Sequence, residues 1–286
     1  MTTNNHVSLQ DKICLVTGAN AGIGKETALA LAQMGAVVVM VARSPERGMA
    51  ALDEVRRRSG SQRVELLSAD LSSQASIRQL AADFSAKYDR LHVLVNNAGA
   101  VFMQRQESVD GQEMTFALNH LGYFLFTNLL LDVLKASAPA RIINVSSGAH
   151  QGGRINFNDL QLQQSYSGFG AYSTSKLANV LFTYELARRL DGSGVTANCL
   201  HPGFVRSEFA KNNGRLARLS MLLLRPLTIS PAQGAETSIY LASSPDVTDV
   251  TGRYFVKKKA VKSSAASYDT AVARQLWDAS ATLTGC

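Results

Sequence analysis

Cysteine and histidine are few in this 286-residue sequence, and they are scattered. The three cysteines, Cys14, Cys199 and Cys286, form no CxxC pair, and the five histidines lie far apart without a metal-ligand spacing. This pattern excludes a disulfide framework and a recognisable metal site, so we predict no bound metal. Cys14 and Cys199 fall within apolar runs, and we expect both to be reduced and buried.

Long apolar runs and an apolar leader are also missing. No run is long enough to span a membrane, and the start, MTTNNHVSLQDK, has no apolar signal-peptide core. The net charge of +7 comes from scattered basic residues without a nucleic-acid motif, so we predict no nucleic-acid partner. The composition is typical of a basic protein of the cytoplasm; the alternative is a basic surface that meets anionic cofactors or lipid head groups.

Short apolar runs alternate with helical patterns, and no linker or internal repeat divides them. Seven runs are predicted as strands: Ile13–Thr17, Ala36–Val41, Arg63–Leu67, Val93–Asn96, Arg141–Val145, Val195–Leu200 and Tyr254–Val256. Six segments are predicted as helices: Lys25–Met34, Glu46–Ser59, Ser73–Tyr88, Gly111–Lys135, Tyr172–Leu190 and Pro231–Ala242. This rhythm predicts an α/β fold, a Rossmann-type doubly wound parallel sheet of about seven strands flanked by helices. We expect a single domain over residues 1–286.

A glycine-rich turn, TGANAGIG, follows the first predicted strand. Gly18 permits a tight turn, Gly22 lets the backbone approach a pyrophosphate, and Gly24 lets helix and strand pack closely. Free N–H groups at the helix start then face the phosphates. The residues predicted to contact a dinucleotide here are Gly18, Asn20, Ala21, Gly22, Ile23 and Gly24. An ordinary structural turn is the alternative for a glycine triplet by itself.

The end of the second predicted strand indicates which cofactor binds. An acidic residue at this position would bind the ribose 2′-hydroxyl of NAD, but the strand ends in Arg43-Ser44. Arg43 can pair with a 2′-phosphate and Ser44 can add a hydrogen bond, so we predict NADP(H) in preference to NAD(H). Lys25 is a possible second basic contact. The alternative for Arg43 is a solvated charge at a strand end.

Tyr172 and Lys176 stand at positions i and i+4 of a predicted helix and therefore on one face. A phenol with a pKa of about 10 needs a neighbouring cation to ionise near neutral pH. We expect Lys176 to lower the pKa of Tyr172, which would exchange a proton with a carbonyl oxygen while a nicotinamide exchanges a hydride with its carbon. The alternatives are a core aromatic for Tyr172 and a solvated charge for Lys176.

Several motifs, in the same order, resemble those of the short-chain dehydrogenase/reductase family. They are NNAG at Asn96–Gly99, LNHLG around Asn119, Ser146-Ser147 after the fifth predicted strand, YSTSK at Tyr172–Lys176, and PGFVRS at Pro202–Ser207. Within that family, several stretches are similar to the retinol dehydrogenases and their bacterial relatives: TGANAGIGKETA, INVSSGAH, AYSTSKLANVLFTYELARRL, HPGFVRSEF and TGRYF. The resemblance runs through nearly the whole chain.

The resemblance implies a catalytic set of Asn119, Ser147, Tyr172 and Lys176. In that set Ser147 orients the substrate oxygen, Lys176 also holds the nicotinamide ribose, and Asn119 fixes a water that links Lys176 to solvent. Ser146 is the alternative to Ser147 as the active hydroxyl. The resemblance also implies further cofactor contacts from Asp70, Leu71, Asn97, Ala98, Gly99, Pro202, Gly203, Val205 and Ser207.

These features predict an NADP(H)-dependent oxidoreductase that interconverts an apolar aldehyde or ketone and its alcohol, with a tyrosine as proton donor or acceptor. One alternative is a reductase of an activated carbon–carbon double bond, as in the related protochlorophyllide reductases. A third interpretation, from another functional class, is a non-catalytic interaction protein that senses NADP.

A substrate lid is predicted over residues 204–230, because leucines and arginines there fall on different faces of a helical pattern: Leu216, Leu219 and Leu223, against Arg215, Arg218 and Arg225. The alternatives are a packed helix and contact with a membrane surface. Four side chains can line the same apolar pocket or pack in the core: Phe102, Met103, Phe169 and Phe204.

The helix Tyr172–Leu190 is apolar on several faces, more than one core contact needs. We therefore predict a homo-oligomer joined through this helix and Gly111–Lys135. Trp277 is interpreted as a packing anchor in a terminal helix. The cluster Lys257-Lys258-Lys259 with Lys262 is interpreted as a solvated loop, and binding of an anionic partner is the alternative.

Overall fold

One eight-stranded sheet, in the order β3-β2-β1-β4-β5-β6-β7-β8, is the frame of the protein in the computed structural model, which describes residues 8–205 and 228–286. The strands are β1 (Ile13–Thr17), β2 (Val37–Ala42), β3 (Val64–Ser68), β4 (Val93–Asn96), β5 (Ala140–Val145), β6 (Val195–His201), β7 (Tyr254–Val256) and β8 (Lys259–Val261). The first seven pair in parallel, so the predicted doubly wound Rossmann-type sheet and its seven strands are confirmed.

Helices cover both faces of this sheet. They are α1 (Gly22–Gln33), α2 (Pro45–Ser59), α3 (Gln74–Lys87), α4 (Met114–Phe116), α5 (Gly122–Leu129), α6 (Leu131–Ala136), α7 (Gly168–Arg189), α8 (Pro231–Ser243) and α9 (Thr270–Thr284). The strands β1, β2 and β4 bury their side chains on both faces, as the near-continuous apolar runs predict. Cys14 and Cys199 are buried free cysteines, which confirms their predicted place in the core.

Tertiary contacts change the helix that was predicted over Gly111–Lys135. It begins only at Met114, because the buried carboxylate of Glu113 caps the N–H groups of Thr115 and Phe116. The chain then widens into a π turn over Ala117–Leu121 before α5. Such turns are rare and often lie at functional sites. One predicted helix is therefore three helices and a π turn.

The lysine cluster forms a hairpin rather than a plain loop. Lys257 and Lys258 both have positive φ angles, 49° and 63°, and they connect β7 to the antiparallel strand β8. Positive φ at two central residues is the conformation of the tight turn that best suits a hairpin. The eighth strand was not predicted, because its three residues are exposed and carry no apolar pattern.

The C-terminal helix α9 packs against α5 and α7. Trp277, the predicted anchor, lies 4.9 Å from the Phe124 ring and 5.7 Å from the Phe182 ring, measured between centroids. On α7, every residue from Ser175 to Ala187 is buried within the single chain. The apolar surface on which the prediction of a homo-oligomer rested is therefore covered from inside the same chain.

Part of the predicted lid lies outside the described residues. Ser207 and the lid leucines and arginines belong to this part: Leu216, Leu219, Leu223, Arg215, Arg218 and Arg225. Over residues 8–205 and 228–286, no helix combines the length and the apolar character needed to cross a bilayer.

Candidate active site

The strand order places a cleft at the carboxyl ends of β1 and β4. These strands are neighbours in the sheet, and the chain leaves β1 toward β2 on one side and β4 toward β5 on the other. Ligands of doubly wound sheets bind outside the carboxyl ends of the strands at this switch point. The glycine turn after β1 and the Asn97–Gly99 segment after β4 therefore face the same opening.

Two glycines of the turn are required by close packing. A Cβ atom on Gly18, whose φ is +64°, would lie 2.8 Å from the Cα atom of Ala98. A Cβ atom on Gly24 would lie 2.4 Å from the carbonyl oxygen of Gly18 and 2.5 Å from Nδ2 of Asn97. These distances are too short for any side chain, so the sequence at these two positions is explained by backbone approach.

Gly22 differs from its neighbours in facing open space. Its φ is +56°, and a Cβ atom there would meet nothing within 4 Å. It begins α1, and Ala21 before it is extended and offers no side-chain cap to the helix. The N–H groups at this helix start are thus left for a ligand, and phosphate is the ligand that such a start favours. Asn20 and Ile23 flank the opening and are half-buried.

Three residues expected near a 2′-phosphate, Arg43, Ser44 and Lys25, have different surroundings. Arg43 is exposed at the end of β2, and among the described residues no hydrogen bond or ion pair occupies its guanidinium. Ser44 caps α2, where its hydroxyl accepts a hydrogen bond from the N–H of Arg47 at 3.3 Å. Lys25, which the sequence suggested as a second basic contact, pairs with Glu54 on α2 at 2.6 Å in this structure.

Turns after β3 and β4 complete the wall of the cleft. The Asp70 carboxylate accepts hydrogen bonds from the N–H and the hydroxyl of Ser72, at 2.9 and 2.7 Å, and Leu71 beside it is buried. After β4, the Thr17 hydroxyl accepts hydrogen bonds from the N–H groups of Asn97 and Ala98, at 2.8 and 3.0 Å. These bonds fix the β4 turn to the end of β1.

Lys176 projects from α7 into the buried floor of the cleft. Its Nζ donates to the carbonyl oxygen of Val145 at 3.0 Å and lies 5.7 Å from the centroid of the Tyr172 ring. A Cβ atom on Gly99 would lie 3.1 Å from Oδ1 of Asn119 and 3.4 Å from the same Nζ, so this glycine packs closely against both side chains. Burial lowers the pKa of Lys176 to about 7.

Tyr172 and Ser147 meet beside Lys176. A hydrogen bond joins their hydroxyl groups, but burial outweighs it and raises the pKa of Tyr172 to about 12. The expected lowering of the tyrosine pKa by Lys176 is therefore wrong for this structure, in which burial is the largest influence on the pKa of both groups. Ser146 faces the other way, and its hydroxyl donates to the carbonyl oxygen of Lys176 at 2.8 Å.

Asn119 lies in the π turn and joins two walls of the site. Its side-chain oxygen accepts from the N–H of Ala100 at 2.9 Å, and its amide donates to the carbonyl of Ala100 and the hydroxyl of Ser175 at 2.9 and 3.0 Å. Ser175 in turn donates to the carbonyl of Tyr172. The side chain thus braces the β4 turn against the helix that carries the tyrosine.

The segment after β6 closes the cleft on its far side. Gly203 has a φ of +93°, and a Cβ atom there would lie 2.7 Å from Cδ1 of Ile229. Val205 is buried and pairs with Ile229 in an isolated parallel bridge. Pro202 precedes them and is half-buried, while Ser207 lies outside the described residues.

Comparison with known proteins agrees with this arrangement. A family model described as short chain dehydrogenase matches residues 12–216. The chain belongs to the short-chain dehydrogenase family. Members of this family are oxidoreductases, and this chain carries the family's motifs at the carboxyl edge of its sheet, where the geometry above places them.

The relatives of this short-chain dehydrogenase include the retinol dehydrogenases. Human retinol dehydrogenase 11 is 46% identical over 279 residues, covering 98% of this chain and 87% of the relative. Human retinol dehydrogenase 13 is 45% identical, covering 97% and 86%. Among solved structures, an uncharacterised protein from Mycobacterium paratuberculosis is 33% identical with a TM-score of 0.81, covering 100% of this chain and 97% of that one.

A solved complex also matches. The Pseudomonas aeruginosa RhlG/NADP active-site complex is 31% identical, with a TM-score of 0.68, and the match covers 87% of this chain and 95% of that one. Where this short-chain dehydrogenase is described, no three His, Cys, Asp or Glu side chains group so as to hold a metal ion.

Two residues of the site were not singled out from the sequence. His150, in the 3₁₀ turn Gly148–Gly152, holds the Ser147 carbonyl through Nδ1 at 2.7 Å, and its Nε2 accepts from the N–H of Ser264 at 3.0 Å. Tyr123 is buried, its ring centroid is 5.6 Å from Nζ of Lys176, and its hydroxyl has no hydrogen-bond partner within the described part of the chain. His150 lay in the quoted INVSSGAH stretch, but a lone histidine carries no local signal for this role.

Proposed function

We propose that this short-chain dehydrogenase is an NADP(H)-dependent enzyme that interconverts an apolar aldehyde or ketone and its alcohol. The observation that carries the proposal is the meeting of Tyr172, Ser147 and Lys176 inside the cleft beside the glycine turn. A proton donor, an orienting hydroxyl and a buried amine beside a dinucleotide site suit carbonyl reduction.

The residues present fit a dinucleotide with a 2′-phosphate. The uncapped start of α1 at Gly22 suits the pyrophosphate, and the unoccupied guanidinium of Arg43 suits a 2′-phosphate that a carboxylate would repel. Asp70 and the Asn97–Gly99 segment would line the adenine and nicotinamide ends. When bound, the nicotinamide supplies or accepts the hydride. The NADP complex of the similar Pseudomonas aeruginosa protein supports this fit.

The tyrosine moves the proton. In the reducing direction the Tyr172 phenol donates its proton to the carbonyl oxygen as the hydride reaches the carbon, which gives the alcohol and a phenolate. Ser147 donates a hydrogen bond to the same oxygen and keeps it within reach of the phenol. The phenolate then regains a proton, and Lys176, whose pKa lies at about 7, can be charged or neutral at the pH where this happens.

The water-holding role implied for Asn119 falls to its main chain. Both N–H groups of its side-chain amide, and one lone pair of Oδ1, are used by Ala100 and Ser175. Its main-chain carbonyl oxygen accepts a hydrogen bond from Nδ2 of Asn179 at 2.9 Å, which holds this carbonyl in a fixed orientation. A water held there would connect Lys176 with solvent, as the resemblance implies.

An apolar substrate is favoured by the side chains around the cleft. Met103, Phe169 and Phe204 are 43%, 67% and 51% exposed, although each is large and apolar. They follow β4, begin α7 and follow β6, so all three lie on segments at the carboxyl edge of the sheet. Phe102, by contrast, is buried in the core. Exposed apolar side chains on one rim favour an apolar ligand, and the named relatives act on retinol.

Consumption of NADPH with a panel of aldehydes and ketones, all-trans-retinal included, tests this proposal. We expect activity that falls by about a thousandfold or more in Tyr172→Phe, because the proton donor is lost. Tyr88→Phe is the matched control. Tyr88 lies at the end of α3, and its hydroxyl bonds only Glu65 on β3. Wild-type activity in Tyr172→Phe would contradict the mechanism. Reduction of activated carbon–carbon double bonds, with no reduction of any carbonyl, would favour the alternative double-bond reductase.

A further inference from the structure

A row of buried polar groups connects the C-terminal helix to the π turn. The Ser280 hydroxyl on α9 is 2.9 Å from Nε2 of His120, whose Nδ1 is 3.4 Å from Oδ1 of Asn179 on α7. Nδ2 of Asn179 donates to the carbonyl oxygen of Asn119 at 2.9 Å. All four residues are fully buried, so water does not compete for these bonds.

The donors in this row have one consistent direction. Asn179 gives its amide hydrogen to Asn119, so its Oδ1 is left to accept, and the partner at Nδ1 of His120 must donate. Nε2 of a neutral His120 is then an acceptor, so the single proton of the Ser280 hydroxyl must turn toward it, at 2.9 Å, and away from the carbonyl oxygen of Leu276, at 2.7 Å. The other neutral tautomer would set the lone pairs of Nδ1 and Oδ1 against each other. The row therefore runs from Ser280 through His120 and Asn179 to Asn119.

The surroundings of His120 keep it neutral and in place. Its ring lies 4.9 Å from that of Phe116 and 6.2 Å from that of Phe182, measured between centroids. Burial among these rings lowers the pKa of His120 to about 4, and no carboxylate offsets it. A neutral imidazole with one donor and one acceptor is the group that this row requires.

We propose that Asn179, His120 and Ser280 are positioning residues for the main-chain carbonyl of Asn119. This inference rests on the proposed function, in which that carbonyl holds the water that leads to Lys176. Asn179 donates a hydrogen bond to this carbonyl and so fixes the orientation of the peptide group that carries it. Because Ser280 lies on α9, the C-terminal helix sets part of the active-site geometry, although it contributes no group to the cleft itself.

The tautomer of His120 tests the row without any substrate. In protein with ¹⁵N-labelled histidine, we expect the His120 ring to show a proton on Nδ1 and none on Nε2 at neutral pH. The signal is assigned by its loss in His120→Asn. In Ser280→Ala the hydrogen bond to Nε2 is lost, and the ring nitrogen shifts should move. A proton on Nε2 in the wild-type protein would overturn the proposed direction, whatever the enzyme's activity.

Kinetics test whether the row acts on catalysis. We expect Ser280→Ala to lower kcat about threefold or more for the best carbonyl substrate, with unchanged affinity for NADPH. Asn179→Ala should lower kcat further, and the double variant should lose no more than Asn179→Ala alone, because both act through one row. Ser280→Thr, which keeps the hydroxyl, should restore kcat.

A matched control lies one turn along the same helix. The buried Thr284 hydroxyl bonds only main-chain oxygens of α9, so Thr284→Val should leave kcat unchanged while it tests the packing of the helix. Losses that multiply in the double variant, or an equal loss in Thr284→Val, would assign a merely structural role to Ser280 and overturn the proposal. Because the tautomer needs no substrate, failure of the row is distinguishable from failure of the proposed reaction.

Discussion

Burial acts in opposite directions on the two ends of the Tyr172–Lys176 pair. It raises the pKa of the phenol to about 12 and lowers that of the ammonium to about 7, so each group shifts toward its neutral form. At neutral pH the tyrosine therefore holds its proton. This is the form that can donate to a carbonyl oxygen, whereas oxidation of an alcohol needs the phenolate as the base.

The two directions of reaction should differ in their pH dependence. For alcohol oxidation we expect kcat/KM to rise with pH from 7 to 10, by about tenfold per unit, because the phenolate fraction rises that steeply below the pKa. For carbonyl reduction we expect no such rise. Initial rates in both directions across this range check the prediction, and an oxidation profile that is flat between pH 7 and 9 would contradict it.

Arg43 should decide the choice between NADPH and NADH. In Arg43→Asp a carboxylate faces the 2′-phosphate, so we expect affinity for NADPH to fall at least about a hundredfold, with NADH unchanged or improved. Fluorescence titration with both cofactors measures this. Arg90→Asp makes the same change of charge at an exposed position before β4, at the opposite edge of the sheet, and should leave the preference intact. Equal affinity for NADPH in both variants would refute the role of Arg43.

At the scale of the element, the turn between β1 and α1 uses its glycines for different purposes. Gly18 and Gly24 let the backbone of the turn approach the β4 segment, whereas Gly22 leaves space beside an uncapped helix start. Packing thus constrains two of these positions, and we propose that ligand access constrains the third. The resulting effects on folding and on binding are separable by substitution.

Alanine substitutions should separate these effects. Gly24→Ala places a Cβ atom 2.4 Å from the Gly18 oxygen, so we expect the free energy of unfolding to fall by about 3 kcal/mol. Gly22→Ala should cost only about 1 kcal/mol from its positive φ, yet weaken NADPH binding. Gly60→Ala has the same kind of φ, +71°, and open space at the end of α2, so it should match this small loss and leave binding unchanged.

Denaturant unfolding and cofactor titration of the three variants supply the comparison. If Gly22→Ala bound NADPH as tightly as Gly60→Ala does, the cofactor phosphate would not bind at this helix start. A Gly24→Ala protein as stable as the wild type would show that the turn relaxes around the new methyl group.

At the scale of the whole molecule, α9 packs against α7 and helps to bury its apolar side chains. Leu177, Val180, Leu181, Phe182 and Leu186 were the apolar side chains that suggested a partner chain, and each is at most 2% exposed in one chain alone. Trp277 fills the space beside Phe124 and Phe182, and the guanidinium of Arg189 lies 4.2 Å from the centre of its ring. The C-terminal helix thus covers part of the helix pair on which the prediction of a homo-oligomer rested, and the homo-oligomer itself stays a prediction.

We therefore expect no assembly through α5 and α7. Cross-linking should give no contact between two copies of α5 and α7, because association through this face would require α9 to leave its apolar contacts. A dimer that survives dilution and is joined through α5 and α7, as cross-linking would show, would contradict this expectation.

Local patterns in the sequence were enough for the strands, the glycine turn and the Tyr172–Lys176 pair. Apolar runs, turn glycines and an i, i+4 spacing depend on near neighbours in the chain, and these neighbours stay together in any fold the segment adopts. Only the tertiary structure paired Lys25 with Glu54, opened the π turn and joined Ser280 to His120, residues 160 positions apart. Such contacts depend on how distant elements pack, and burial, which reversed the expected pKa of Tyr172, depends on all of them together.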